Sequence, residues 1–414
     1  MFRLWLALLA AVLTAGAGAQ TITFATWGGT EELDIYAELI SEFEVDTGIT
    51  VNVNHIPSAG DYEQTLATLI AAGNAPDVFF INNISLPGFA VQDAFLPLTP
   101  YLEEIDLGDF FEGHLEAFQY QGEQVAIPRD ISNMVVFYNA DMFRGAGLEL
   151  PTSDWTWDDF LDKARALTVD RSGDGEVDQF GFGYNTFWLF WQPWIWSGGG
   201  SFFSDDHSEL TLNQGASLEA LEFFVGLRCE ENVAPTAAQA ADRTAASMFA
   251  DGDVAMITDG RWRVAPLNAS EAVDFEWDVV TFPHGPAGSI VDANGSGWGI
   301  SSTSQNPDAA WQFIEFVASA EAQTRFTEEG LIIPARRSVG ITEAFVREDV
   351  PPANDLAFIE ANETARPTET FEGWGEFLSL MNEGLSEVWL CNVSPSEGLD
   401  LVADEIEDIL LEYR

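Results

Sequence analysis

Lysine is almost missing from this chain. Lys163 is the only one, and with fifteen arginines the 414 residues carry 16 basic side chains against 68 acidic ones, a formal net charge of −52. So anionic a surface repels phosphate backbones and acidic lipid headgroups, which excludes nucleic acid and an anionic membrane surface as partners. It suits a protein kept soluble in salty surroundings, where screening weakens the self-repulsion, as in a halophilic acidic surface. The same scarcity removes the lysine that a phosphate loop requires, and no G-x-S-x-G nucleophile elbow occurs. The four histidines (His55, His114, His207, His284) are scattered without ligand spacing, so no metal site is assigned and no cofactor is expected. Past the first residues no apolar run reaches membrane length. Cysteine is nearly absent too. Cys229 and Cys391 are the only two, and in an oxidising compartment they are a candidate disulfide.

What is present begins with a leader. Arg3, the apolar run 4–13 and the small residues Ala17-Gly18-Ala19 read as a cleaved signal peptide over 1–19, with no cysteine after the site to carry a lipid anchor. The expected product is exported and periplasmic. The remaining residues, roughly 395, exceed what one core usually serves, so two lobes are expected. Tryptophan sits beside glycine at four distant places: Trp27-Gly28-Gly29, Gly260-Arg261-Trp262, Gly297-Trp298-Gly299 and Gly373-Trp374-Gly375. An indole on a backbone with no neighbouring side chain lets a ligand approach closely, and its flat face suits the C–H patches of a sugar ring. Each Trp taken alone also fits a core position beside a turn.

Hydrophobic period supplies the fold class. Strand patterns at 21–27, 50–56 and 78–81 alternate with helical ones at 31–43 and 60–72, the βαβαβ order of a parallel sheet. Ligands on such sheets bind beyond the carboxyl ends of the strands. Helix or strand patterns recur at 157–168, 216–229, 241–250 and 253–258, enough for a second α/β lobe, and 277–283 reads as a strand running away from it. A long amphipathic helix is expected over 306–328, and helical pieces over 371–391 and 395–412. Four tryptophans crowd the run FWLFWQPWIWSGGG, where Pro193 argues against one continuous helix.

The ordered motifs TFATWGG (23–29), APDVFFIN (75–82), IPRDISNMVVFYNADMFRGAGLELP (127–151), TWDDFLDKARALT (156–168), MFADGDVAMITDGRW (248–262), GSGWGIS (295–301) and IIPARRS (332–338) resemble the sugar-type family 1 of extracellular solute-binding proteins, the maltodextrin-binding group that serves ABC importers. The resemblance runs from about 21 to the C-terminus. It implies an α/β bilobal binding-protein fold, residues 20–127 with 283–335 in one lobe and 128–282 with 336–414 in the other. Three segments would cross between them, near 126–130, 280–284 and 334–340. It implies a monomer that is no enzyme, which takes a carbohydrate in the interlobe cleft and docks on a membrane permease. Matched position by position, it marks as ligand-facing Trp27, Gly28, Thr30, Asn82, Asn83, Asp130, Ser132, Trp191, Trp194, Gly260, Trp262, Gly297, Trp298, Arg336 and Trp374.

Polar partners are needed as well, because hydroxyls left unpaired in a closed cleft cost more than stacking gains. Asn82, Asn83, Asp130, Asp259, Thr30, Glu31 and Glu63 stand at loop ends. Arg129, Arg261 and Arg336 either pair with carboxylates or face the ligand, in which case an acidic or sulfonated sugar fits. The run Asp170, Ser172, Asp174, Glu176, Asp178 resembles a calcium loop, but Gly181 stands where its twelfth-position glutamate belongs. Two other readings remain open: a binding protein for glycerol phosphate or a polyamine, and a carbohydrate-active enzyme using paired carboxylates.

Overall fold

The computed structural model describes residues 20–57, 59–347 and 350–413; the leader lies outside them. Besides a short hairpin at Gln119–Tyr120 and Glu123–Gln124, the strands of the described residues are, in order, β1 (Thr21–Thr26), β2 (Thr50–His55), β3 (Val78–Asn82), β4 (Ala126–Pro128), β5 (Asp130–Ile131), β6 (Val135–Asn139), β7 (Met256–Asp259), β8 (Trp277–Val280), β9 (Ser296–Ile300) and β10 (Ile333–Pro334). The first sheet runs β2-β1-β3-β9-β4. β1 lies parallel to β2, from Thr21 opposite Thr50 to Thr26 opposite His55, and parallel to β3. β9 returns antiparallel between β3 and β4.

Helices cover both faces of the middle of this sheet, where β3 and β9 are buried on both sides, while the edge strand β2 keeps Thr50, Asn52, Val53 and Asn54 exposed. Phe24 packs edge-on against Tyr36 of α1 (Thr30–Thr47) and against Phe313, with centroids 5.1 and 5.2 Å apart. On the other face Tyr62 of α2 (Ala59–Ala71) donates its hydroxyl to the Phe80 carbonyl, 2.7 Å away. The second lobe is built on an antiparallel sheet, β8-β6-β7. Between the sheets β5 pairs antiparallel with β10, and Ser132 bridges Asn294. The connections are thus hydrogen-bonded strands.

Three local expectations needed correction. The helix expected over 306–328 is two, Pro307–Val317 and Ala320–Glu328, because the Ser319 side chain accepts the Ala322 amide and starts a new helix. The last helical piece likewise divides into Pro395–Asp400 and Ala403–Glu412. Conversely, α3 (Trp188–Ser197) runs through Pro193 without a break. Its Trp191, Trp194 and Ile195 are wholly enclosed, and burial on that scale outweighs the few kcal/mol that proline costs a helix, about 3.

Candidate functional site

A cavity of about 520 Å³ opens between the lobes beyond the carboxyl ends of β1, β3 and β4. That size falls within the roughly 300–1,000 Å³ usual for small-molecule sites. Of the residues marked from sequence, Trp27, Asn82, Asn83, Arg129, Asp130, Ser132 and Trp262 line it. Trp27 stands edge-on to Phe80, with centroids 5.8 Å apart, and keeps part of its indole open.

Across the cavity Trp262 is 43% exposed. Its spacing from glycine has a geometric cause: a Cβ on Gly260 would fall 2.1 Å from the Trp262 ring, so the indole lies flat over bare backbone. Behind it Asp259 is buried. It accepts the Gly260 amide and the Arg263 Nε, 2.9 and 2.7 Å away, and a hydrogen bond from Trp262. One face of the indole is therefore held, and the other is presented.

The floor is polar. Glu32, in the first turn of α1, reaches Arg129, whose Nε also lies 3.0 Å from Asp130 Oδ2. Gly28 makes room for that reach, since a Cβ there would meet the Glu32 carboxylate at 2.4 Å and its φ is +150°. Burial works against the Arg129 charge, yet Glu32, Tyr36 and Asp130 more than reverse this and push its pKa up. Asp130 in turn accepts the Ser296 amide and hydroxyl at 2.8 and 2.6 Å. Glu63 is held by the Ser85 hydroxyl at 2.6 Å. Arg261 also lines the cavity, 3.3 Å from the buried Asp355; burial pulls its pKa down to about 10, with Asp355 opposing. Both cleft arginines are thereby matched to carboxylates.

The cavity wall is wired to the connecting strands. Asn83 donates to Asn294 Oδ1 at 3.0 Å and accepts the Gly295 amide at 3.0 Å. Asn294 donates to Asp292 at 2.9 Å, and Asp292 accepts the Met134 amide at 3.1 Å. Wall and hinge share one chain of hydrogen bonds.

The other marked residues lie elsewhere. Trp298 is fully buried in the first lobe, its Nε1 donating to the Tyr36 hydroxyl at 3.1 Å. Gly297 is enclosed in mid-sheet, where a Cβ would meet the Ile127 carbonyl at 2.7 Å. Trp191 and Trp194 are wholly buried in the second lobe, Trp194 4.7 Å from the Phe282 ring. Trp374 joins an aromatic cluster there, stacked on Phe377 at 5.2 Å and edge-on to Trp188. Arg336 is spent on Asp109 at 3.1 Å and the Ala318 carbonyl at 2.6 Å. Thr30 begins α1 exposed and off the cavity, while Gly28 and Gly260 act as backbone that admits neighbouring side chains. Trp298 is core because it lies in mid-strand in β9, buried along its whole length, while Trp191 and Trp194 in α3 and Trp374 at the start of the helix Trp374–Leu385 turn into the aromatic core of the second lobe. The calcium-like run is closed on itself: Asp170 accepts the Gly173 and Gly175 amides, and Asp178 accepts those of Arg171 and Ser172. Among the described residues no group of three or more His, Cys, Asp or Glu is placed to hold a metal ion.

Two lobes joined by paired strands, with a cavity between facing walls, are the layout of a protein that binds a solute between its lobes. A sequence profile of the bacterial extracellular solute-binding proteins matches residues 27–324, and the chain belongs to that family. A binding protein of Brucella abortus is 24% identical over 416 residues, covering 98% of this chain and 96% of that one. The maltodextrin-binding protein of Bacillus subtilis is 25% identical, covering 90% and 88%. Among solved structures, an ABC substrate-binding protein of Listeria monocytogenes in complex with cycloalternan superposes with a TM-score of 0.78 at 26% identity, covering 96% of this chain and 100% of that one.

Proposed function

We propose that this protein is the periplasmic solute-capturing subunit of an ABC importer, acting as a monomer that delivers a neutral carbohydrate to a membrane permease. The observation that carries the reading is the pair of open indoles, Trp27 and Trp262, on opposite walls of a cavity floored by Glu63, Asn82 and Asp130. Flat apolar faces beside fixed hydrogen-bonding groups are what a sugar ring, with its C–H patches and hydroxyl edge, requires. The sugars named for the Bacillus and Listeria relatives support it. A neutral ligand is favoured over an acidic or sulfonated one because the arginines at the cavity already face carboxylates. In this reading residues 20–127 and 283–335 form one lobe and 128–282 and 336–414 the other, and the leader over 1–19 directs export.

Titrating intrinsic tryptophan fluorescence with glucose, maltose, N-acetylglucosamine, erythritol, glucuronate, glycerol phosphate and spermidine tests the reading. A response to at least one neutral sugar or polyol is expected. A response confined to spermidine or to the anions overturns it, as does turnover of a glycoside. Trp262→Ala is expected to weaken binding of the responding ligand by about 1–3 kcal/mol, measured by isothermal titration calorimetry, as loss of a central aromatic contact does.

A further inference from the structure

The cavity has a third kind of lining that a hydroxylated sugar leaves unused. Leu189 in the first turn of α3, Leu331 and Ile84 carry aliphatic side chains into it from three separate elements. None of the three is sealed into a core. Leu331 is 39% exposed, and Leu189 and Ile84 are half-buried. Leu331 is also held in place: Gly330, at φ +73°, ends the preceding helix, and the Leu331 amide donates to the Phe326 carbonyl at 3.2 Å. A hydroxyl pressed against aliphatic side chains loses water and gains no partner, whereas a methylene there is stabilised, by about fourfold in affinity for each one buried.

The geometry points to a glycoside as the ligand, its sugar on the polar floor between Trp27 and Trp262 and an apolar aglycone or alkyl substituent against Leu189, Leu331 and Ile84. This rests on the carbohydrate reading above and narrows it to amphiphilic sugars. The floor and the aliphatic wall belong to one continuous cavity, so a single molecule with both characters fills it.

Paired probes separate the two levels of the argument. Methyl and butyl β-glycosides of glucose, galactose, N-acetylglucosamine and maltose are titrated calorimetrically, well below any micelle-forming concentration. For each sugar that binds, the butyl glycoside is expected to bind at least tenfold tighter than the methyl one. The double variant Leu189→Asn, Leu331→Asn is expected to bring that ratio to near one. Equal affinity within every binding pair overturns the amphiphile inference and leaves the carbohydrate reading standing; so does a ratio that survives the double variant. Failure of every probe, alongside failure of the free-sugar panel, overturns both.

Discussion

Replacing Cys229 and Cys391 by serine is expected to lower the free energy of unfolding by about 2–5 kcal/mol. The structure bonds the two, with Cα atoms 5.5 Å apart across 162 residues of chain. Closing so long a loop withdraws conformational freedom from the unfolded chain, and the chain-entropy expression gives about 5 kcal/mol at room temperature for that length. The link also joins two helical segments that pack together. Cys229 ends the helix Gly215–Cys229, and Cys391 follows the helix Trp374–Leu385, whose tail carries Trp389 against Trp191 and Phe224. Arg228 reinforces the join, donating to the Trp389 carbonyl at 3.1 Å. Chemical denaturation of wild type and double variant, each with and without dithiothreitol, measures the effect. Reductant should move the wild type to the variant's midpoint; coincident wild-type curves under both conditions would show that the bridge contributes nothing.

His114 and Asp292 are expected to oppose each other as pH falls, and replacing one should unmask the other. Both are wholly buried beside Asn294, whose carbonyl His114 faces and whose amide side chain donates to Asp292. Burial holds the His114 pKa down at about 3, with Arg337 adding to this and the Asn294 carbonyl opposing. Burial likewise pushes Asp292 up to about 7, against the hydrogen bonds it accepts. The signs then differ. Between about 6.5 and 3 the unfolded histidine binds the proton that the folded one refuses, so acidification destabilises. Between about 7 and 3.8 the folded aspartic acid binds the proton that the unfolded one lacks, so acidification stabilises. Where the windows overlap the two slopes cancel, each worth about 1.4 kcal/mol per pH unit. His114→Leu removes the destabilising member. Going from pH 7 to pH 5, the variant should gain about 2 kcal/mol relative to wild type, read as the double difference in urea-unfolding free energy. Parallel behaviour of the two proteins would sink the assignment. The groups that set the local field are few: Arg337 for His114, and for Asp292 only neutral hydrogen-bond donors.

The fold was largely legible in the residues. Alternating strand and helix periods place β1 to β3 and their two helices, because a covered parallel sheet needs apolar strands and one-sided helices. Breaks were less visible. Ser319 reads as an ordinary helix residue until its side chain is seen to accept the Ala322 amide. The site divides differently. Trp27, Asn82 and Asn83 stand at the ends of β1 and β3, where topology alone predicts a ligand, whereas Asp130 is marked by the family resemblance and Arg129 by the chemistry of a charged partner. Trp298 and Gly297 carry the same Trp-Gly pattern inside β9, and nothing local separates a glycine that bares an indole from one that lets two strands meet. Glu32 lies four residues after Gly28 in the first turn of α1, at the same strand end. Leu189, Leu331 and Asn294 were not legible in the residues, since an aliphatic residue or a lone asparagine acquires its meaning only when distant segments converge.

Because Asn83 is at once part of the cavity wall and the first link in the chain through Asn294 and Asp292 to the Met134 amide, that wall is constrained twice. A change there that suited a new ligand would also reset how the connecting strands are held. Trp262 and Leu189 on the opposite side, and Leu331 on the same side as Asn83, take no part in that chain of hydrogen bonds. Diversification of ligand preference among descendants of this protein should therefore accumulate on the second wall and around Leu331, while the asparagines of the first stay as they are.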